Sequence, residues 1–319
     1  MLSTFLSKTS LKRLQNQNVD IESKDFCKLS DIFIVTTVER SENCHISHAF
    51  STLIQEFNNI NYLDLGSINQ EHLNALDELK TEVHRANKVL IVLTPNINSS
   101  YALNSVIVTE RPSNKLKHGK NQRYIAYQRH FLAKDFQLDT NINKSLGEVV
   151  KNISIVEPLL RSCKSLYFQL SAIKSTELSE FGTNFNPVGL SILQSCQIAR
   201  YAGFSKKLKY ICISNFSLDS QAHCHTIALW LWYYMEGKDL DQEIETQHPD
   251  DTTSYIVNSS VLDTELEFIK ENKSERWWLI NPDNLETRIP CMYEDYLAVI
   301  NENSEDKILE LLKSANNAL

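Results

Sequence analysis

Near-continuous apolar runs alternate along the chain with segments whose apolar residues recur every three or four positions. Ile32 to Thr37 (IFIVTT), Lys88 to Leu93 (KVLIVL), Ser105 to Thr109 (SVIVT), Ser165 to Ser171 (SLYFQLS) and Lys209 to Ser214 (KYICIS) are rich in β-branched and aromatic residues and lack polar alternation. Strands that are apolar on both sides are buried on both sides, the condition of a parallel sheet covered by helices. Between Gln70 and Asn87, the residues Leu73, Leu76, Leu79, Val83 and Ala86 fall at helical spacing and form a face that would cover such a sheet. Asn186 followed by Pro187 predicts the start of another helix and Gly203 its end, and Asp219 and Gly237 bracket a further helix in the same way. The βαβα order predicts a doubly wound α/β domain.

From Gly237 to Ser304 the pattern is less regular, and Ser304 to Ala315 predicts a closing amphipathic helix with Ile308, Leu311, Leu312 and Ala315 inward. No internal repeat, low-complexity tract or Gly/Ser linker interrupts the chain. The expected organisation is an N-terminal arm over residues 1–30 and a single domain over 31–319, with a C-terminal extension from about residue 238.

Composition narrows the classes. With 319 residues, 42% of them hydrophobic and 23% charged, the chain can bury a large core. Forty acidic against 32 basic residues give a net charge of -8, which argues against general binding to nucleic acid or anionic membranes. The segment Arg111 to Arg123 (RPSNKLKHGKNQR) is locally basic and reads either as a solvated loop or as a patch for an anion or partner. Seven cysteines with no CxxC pair do not resemble a disulfide framework, so a reducing cytoplasm is the expected compartment. The N-terminus has no uninterrupted apolar h-region, so neither export nor membrane insertion is expected.

In a doubly wound sheet, chemistry gathers at the C-terminal ends of the strands. There the sequence becomes specific. SAIKSTE, NFNPVG, QSCQIARYAG and IALWLWYYMEG, followed by NKSERWW (272–278) and IPCMYEDY (289–296), resemble the arginase/agmatinase/formimidoylglutamase family of ureohydrolases, with the closest likeness to the formimidoylglutamase-like branch of Bacteroidetes-type bacteria. The likeness is dense from about Ser165 to Tyr296. Before that, segments 32–39, 62–68, 88–104 and 124–135 can be laid on the family's strands. The resemblance implies a three-layer α/β/α fold of ureohydrolase/arginase type around a mostly parallel sheet.

It also implies a chemistry. Enzymes of that family use two Mn²⁺ ions bridged by hydroxide, which make a nucleophile from water near neutral pH. Such hard cations need carboxylates and imidazoles, supplied in the family by Gly-Gly-x-His, Asp-x-His-x-Asp and Ser-x-Asp-x-Asp strand ends. On this chain the first falls at Thr94 to Asn98, around Asn96, and the second at Val108 to Ser113, with Thr109 and Ser113 in or near aspartate slots. The third places Gln169 and Ser171 where aspartates would stand, and the carboxylate facing a substrate's cationic head falls at Asn215. A slip of a residue or two restores Glu110 as an acidic neighbour but not a cluster.

Two readings follow from the resemblance. One is a non-catalytic binding or regulatory protein on the ureohydrolase scaffold, with no catalytic residue, metal or cofactor. The other is a divergent Mn²⁺-dependent hydrolase of linear amidine C–N bonds, or an enzyme with a relocated site. A homo-oligomer is implied by family habit alone, and no ligand is named.

Other constellations carry less. His223-Cys224-His225, with Asp219, could bind a metal, but residues two apart on a helix point in different directions, and a core or capping role competes. Trp230, Trp232, Tyr233 and Tyr234 read as a ligand-stacking set or as a buried aromatic helix, and Trp277-Trp278 behind Arg276 as packing for the C-terminal segment or an oligomer contact. No G-x-S-x-G elbow, P-loop, Rossmann glycine fingerprint or EF-hand loop is present. Only seven glycines occur, against a usual share of about 7%, which suggests rewritten active-site loops.

Overall fold

Eight parallel strands form the centre of the molecule: β1 (Ile32–Val38), β2 (Tyr62–Asn69), β3 (Val89–Thr94), β4 (Ser105–Val108), β5 (Arg123–Tyr127), β6 (Lys144–Ser145), β7 (Ser165–Gln169) and β8 (Tyr210–Ser214). Their spatial order is β2-β1-β3-β8-β7-β4-β5-β6. The computed structural model of the chain describes residues 26–38, 45–53, 57–69, 73–96, 104–112, 122–132, 142–179, 185–247, 251–259 and 264–301, together with 102, 138, 309 and 312.

Alternate residues of each strand enter opposite cores, as the continuous apolar runs predict. Ile32, Ile34, Ile91, Val106, Leu166, Phe168 and Ile213 pack on one face, beneath α1 (His45–Ser51), α3 (Leu146–Lys151), α4 (Glu157–Ser162), α5 (Ile192–Gly203) and α6 (Gln221–Gln247). Phe33, Val35, Leu90, Val92, Ile107 and Tyr167 pack on the other, where Leu79 and Val83 of α2 (Leu73–Arg85) cover them. The result is the three-layer α/β/α arrangement.

Helix boundaries are where the structure corrects the sequence reading. α5 starts at Ile192, not at Pro187. Its N-cap is Ser191, whose Oγ accepts from Gln194 N at 3.1 Å while the Gln194 side chain accepts from Ser191 N at 2.9 Å. Asn186 instead folds back on the end of β7, its amide donating to Ser175 Oγ and its carbonyl accepting from Ser175 N. The next helix opens after Ser220, whose Oγ accepts from His223 N at 3.3 Å, so Asp219 is not its cap. It also runs straight through Gly237. A Cβ there would lie 2.2 Å from Arg200 O, so this glycine permits the contact of α6 with α5 rather than ending a helix.

The stretch read as irregular, beyond Gly237, contains the rest of α6 and a second sheet. Antiparallel strands β9 (Thr252–Ser259), β10 (Thr264–Glu271), β11 (Trp277–Asn281) and β12 (Asn284–Cys291) lie in the order β12-β11-β10-β9 and lead into α7 (Tyr293–Ile300). Leu266, Phe268, Trp277, Leu279, Ile289 and Cys291 form its core, closed by Tyr255, Tyr296, Val299 and Leu312. Of the predicted closing helix, Leu309 and Leu312 are described, both helical, and Leu312 points inward as expected.

Buried charges join this sheet to the body. Arg161 of α4 pairs with Glu157 at 2.6 Å, donates through Nη2 to Trp277 O and Cys291 O, and stacks its guanidinium on Trp278. Arg276 spans Asp241 of α6 at 2.6 Å and Glu271 of β10 at 2.9 Å.

Candidate functional site

The order of strands fixes where a crevice must lie. Leaving β4, the chain passes to β5 on one side, whereas leaving β7 it passes to β8 on the other. Adjacent strands whose connections diverge leave an opening above their C-terminal ends. Those ends carry Thr109, Glu110, Gln169 and Ser171, so four residues from two slots separated by about 60 positions meet there.

They meet by bonding one another. Thr109 is 1% exposed, and its Oγ1 donates to Gln169 Oε1 at 2.6 Å. The same oxygen accepts from Arg111 N at 3.1 Å. Ser171 Oγ donates to Glu110 Oε2 at 2.7 Å. Asn186 Nδ2 donates to Ser171 O at 3.1 Å and its Oδ1 accepts from Gln128 Nε2 at 3.2 Å, while Gln128 N donates to Glu110 O. Gln128 Nε2 also donates to Val188 O. Hydroxyls and amides therefore close the crevice across β4, β5, β7 and the Asn186 turn. Beside it, burial and then Glu148 push the Tyr127 phenol above its ordinary range, with Arg129 opposing.

Of the remaining predicted slots, Asn215 lies beside the crevice, since Ser214 pairs with Gln169 across β8 and β7, and Asn96 lies farther off. Asn96 is exposed beyond the end of β3, which lies on the far side of β8 and β7 from β4. Asn215 follows β8 in a left-handed conformation with φ 62°, which asparagine tolerates better than most residues. Ser113 lies outside the described residues.

This donor set does not fit a binuclear metal centre. Two divalent ions need several anionic ligands to offset their desolvation. The crevice offers neutral oxygens and the Glu110 carboxylate, which the Ser171 hydroxyl engages. Among the described residues, no group of three or more His, Cys, Asp or Glu is placed to hold a metal ion.

Gln128 and Asn186 join the site without having been expected there. Asn186 was read as a helix cap, and Gln128 carries no local signal, because only the return of the chain beside β7 brings it to Asn186.

The other candidates resolve as packing. His223 is buried with Nδ1 accepting from Ser217 N at 2.9 Å, and His225 is exposed with its ring on Gln221 O, so the pair diverges as the helical spacing predicts. Trp230 and Tyr234 stack within 9° of parallel, both nearly fully buried. Trp277 is stacked among Tyr255 and Tyr296. Arg123, expected in a solvated loop, is instead buried in β5 and donates to Ser162 Oγ. Arg111 lies over the Phe131 ring at 4.2 Å, and residues 113–121 are outside the described set. The six described cysteines form no disulfide with one another, and among the described residues no helix is long and apolar enough to cross a membrane.

Comparison with known proteins bears on this scaffold. No protein-family model matches the chain, and no curated protein does. Solved structures do match. The agmatine ureohydrolase of Thermoplasma volcanium superposes with a TM-score of 0.52 at 14% identity, over 73% of this chain and 99% of that one. An oxidized formiminoglutamase of Trypanosoma cruzi gives 0.52 at 15% identity, over 68% and 96%. An arginase superfamily protein from the same organism gives 0.51 at 14% identity, over 66% and 93%. Through its all-parallel sheet, its helical layers and these superpositions, the chain has the arginase-like fold of the ureohydrolases.

Proposed function

We propose that this chain is a diverged member of the ureohydrolase family, nearest its formimidoylglutamase-like branch, that has lost the binuclear Mn²⁺ site and acts as a non-catalytic binding or regulatory protein in the cytoplasm. The observation that carries the reading is the 2.6 Å hydrogen bond from Thr109 to Gln169. A buried hydroxyl and amide that satisfy each other occupy the junction where the resemblance would place metal-binding aspartates, and a neutral pair cannot balance cationic charge. Asn215, standing for the carboxylate that would meet a cationic substrate, points the same way.

Glu110 favours a second reading. It is a carboxylate at the mouth of the crevice, held by Ser171 at 2.7 Å, and a divergent hydrolase of linear amidine C–N bonds would build on it. Reconstituting the purified protein with Mn²⁺, measuring bound metal, and assaying urea, ammonia and formamide release from arginine, agmatine and formiminoglutamate separates the two. The first reading expects no stoichiometric manganese and no product. Near two equivalents of manganese with turnover would overturn it.

A further inference from the structure

The antiparallel sheet ends on β9, and among the described residues no strand pairs with its outer side. Which backbone groups face that side follows from the ladder. Thr252 is paired with Glu271, and Asn272 N donates to Asp251 O at 3.0 Å, so Asp251 and Asn272 form a hydrogen-bonded pair and the bonded positions alternate from there. Tyr255 and Val257 therefore bond to β10, while the N–H and C=O groups of Thr252, Ser254, Ile256 and Asn258 point outward. Glu271 N donating to Arg276 O confirms the phase, since it turns the neighbouring face of β10 toward β11.

An open edge is a template for another strand, and proteins blunt edges with charge, proline or a covering element. The opposite edge is blunted in these ways. Following the same phase through β11, Pro290 occupies an outward position of β12, so a donor is missing there. Glu286 and Arg288 lie on that strand, and α4 packs against it. The strand β9 has α7 packed against it but carries neither charge nor proline. From Thr252 to Leu262 the sequence TTSYIVNSSVL has no charge and no proline, in a chain of net charge -8. Ile256 stands at its centre with 67% of its surface exposed.

We infer that β9 is a self-association edge that pairs antiparallel with β9 of a second copy about a twofold axis. The register that keeps all four outward residues bonded sets Thr252 against Asn258 and Ser254 against Ile256, and supplies about eight backbone hydrogen bonds at two per pair. It places the axis at Tyr255, so the two Tyr255 rings, each already packed on Trp277 and Tyr296, face each other. The flanking acid Asp251 does not meet its own copy, because it falls opposite Ser259. Because β12 is blunted, edge-to-edge growth stops and the assembly closes as a dimer rather than a filament. This inference is independent of the reading proposed for the crevice.

Sedimentation of the full-length protein over a range of concentrations, with residue-resolved hydrogen exchange, tests it. The expected result is a concentration-dependent dimer in which the amides of Thr252, Ser254, Ile256 and Asn258 exchange slowly, and become fast on dilution to monomer. Ile256→Pro removes an outward N–H without touching the β10 ladder. Ile256→Lys sets two like charges near the axis, while Glu267 across the strand pair accommodates Lys within each copy. Each should weaken dimerisation tenfold or more with unchanged far-ultraviolet circular dichroism. A protein that stays monomeric at tens of micromolar, a dimer that survives both substitutions, an open-ended polymer, or a monomer with those four amides protected by its own chain would each overturn the inference.

Discussion

At Gly237, α6 carries the residue least suited to a helix interior after proline, and the structure shows why. Alanine would gain about 1 kcal/mol of helix propensity, but its Cβ would lie 2.2 Å from a backbone oxygen that cannot swing away. Overpacking of that kind costs about 1–3 kcal/mol or more, so Gly237→Ala is expected to lower the urea midpoint. Gly147 is the control: nothing lies within 4 Å of a Cβ there, and Gly147→Ala should be neutral or raise stability by up to about 1 kcal/mol. Equal effects of the two substitutions would refute the packing explanation. In the crevice, Thr109→Val keeps the shape but removes the 2.6 Å hydrogen bond to Gln169 Oε1, a loss of about 1 kcal/mol measurable by denaturation. The neutrality of Thr109, Gln169 and Ser171 was readable from sequence. That Thr109 and Gln169 bond each other was not, because the partners are 60 residues apart.

Elements were readable where one periodicity ruled them. The central strands and α2 appear within a few residues of their expected spans, since burial on both faces, or on one helical stripe, writes itself into every position. Boundaries differ at Asn186 and Gly237, which serve tertiary contacts instead, and at Asp219, which is exposed and yields the cap to Ser220. The helix α4 shows how packing changes even an ordinary carboxylate. Burial holds the Glu157 carboxyl above its usual range, with Arg161 the main opposing influence. A carboxyl with a raised folded pKa contributes stability that is complete below its unfolded pKa and is lost as pH rises through the folded value. Stability measured upward from about pH 4.5 should therefore carry a falling contribution that Glu157→Gln abolishes. A variant with the same pH slope as the parent would contradict this assignment.

The whole molecule joins two sheets with separate cores through Arg161 and Arg276. Asp241 is 2% exposed and has Arg276 at 2.6 Å. Removing one member of such a buried pair costs about 3–5 kcal/mol, because the other charge is left without compensation. Arg276→Met should separate unfolding into two phases, read by tryptophans that report each part: Trp230 and Trp232 in α6, Trp277 and Trp278 in β11. A single transition with an unchanged midpoint would show that the two parts do not depend on this pair. The antiparallel sheet was not legible in the sequence, since half-exposed strands with polar and charged residues on one face give a weak signal, and their alternation becomes evident only once their partners are known.

By itself the sequence determined the layered α/β architecture, because continuous apolar runs and helical stripes are local consequences of burial. It also determined that Thr109, Gln169 and Ser171 at the strand ends are neutral, since residue type needs no coordinates. Only the tertiary structure decided that hydroxyls and amides from distant strands close the crevice, that Gly237 of α6 meets the backbone of Arg200 and Gly203 of α5 that of Tyr234, and that β9 rather than β12 presents an open edge. Each of these depends on pairings across many residues, and hydrogen-bond phase and close approach are properties of neighbours in space.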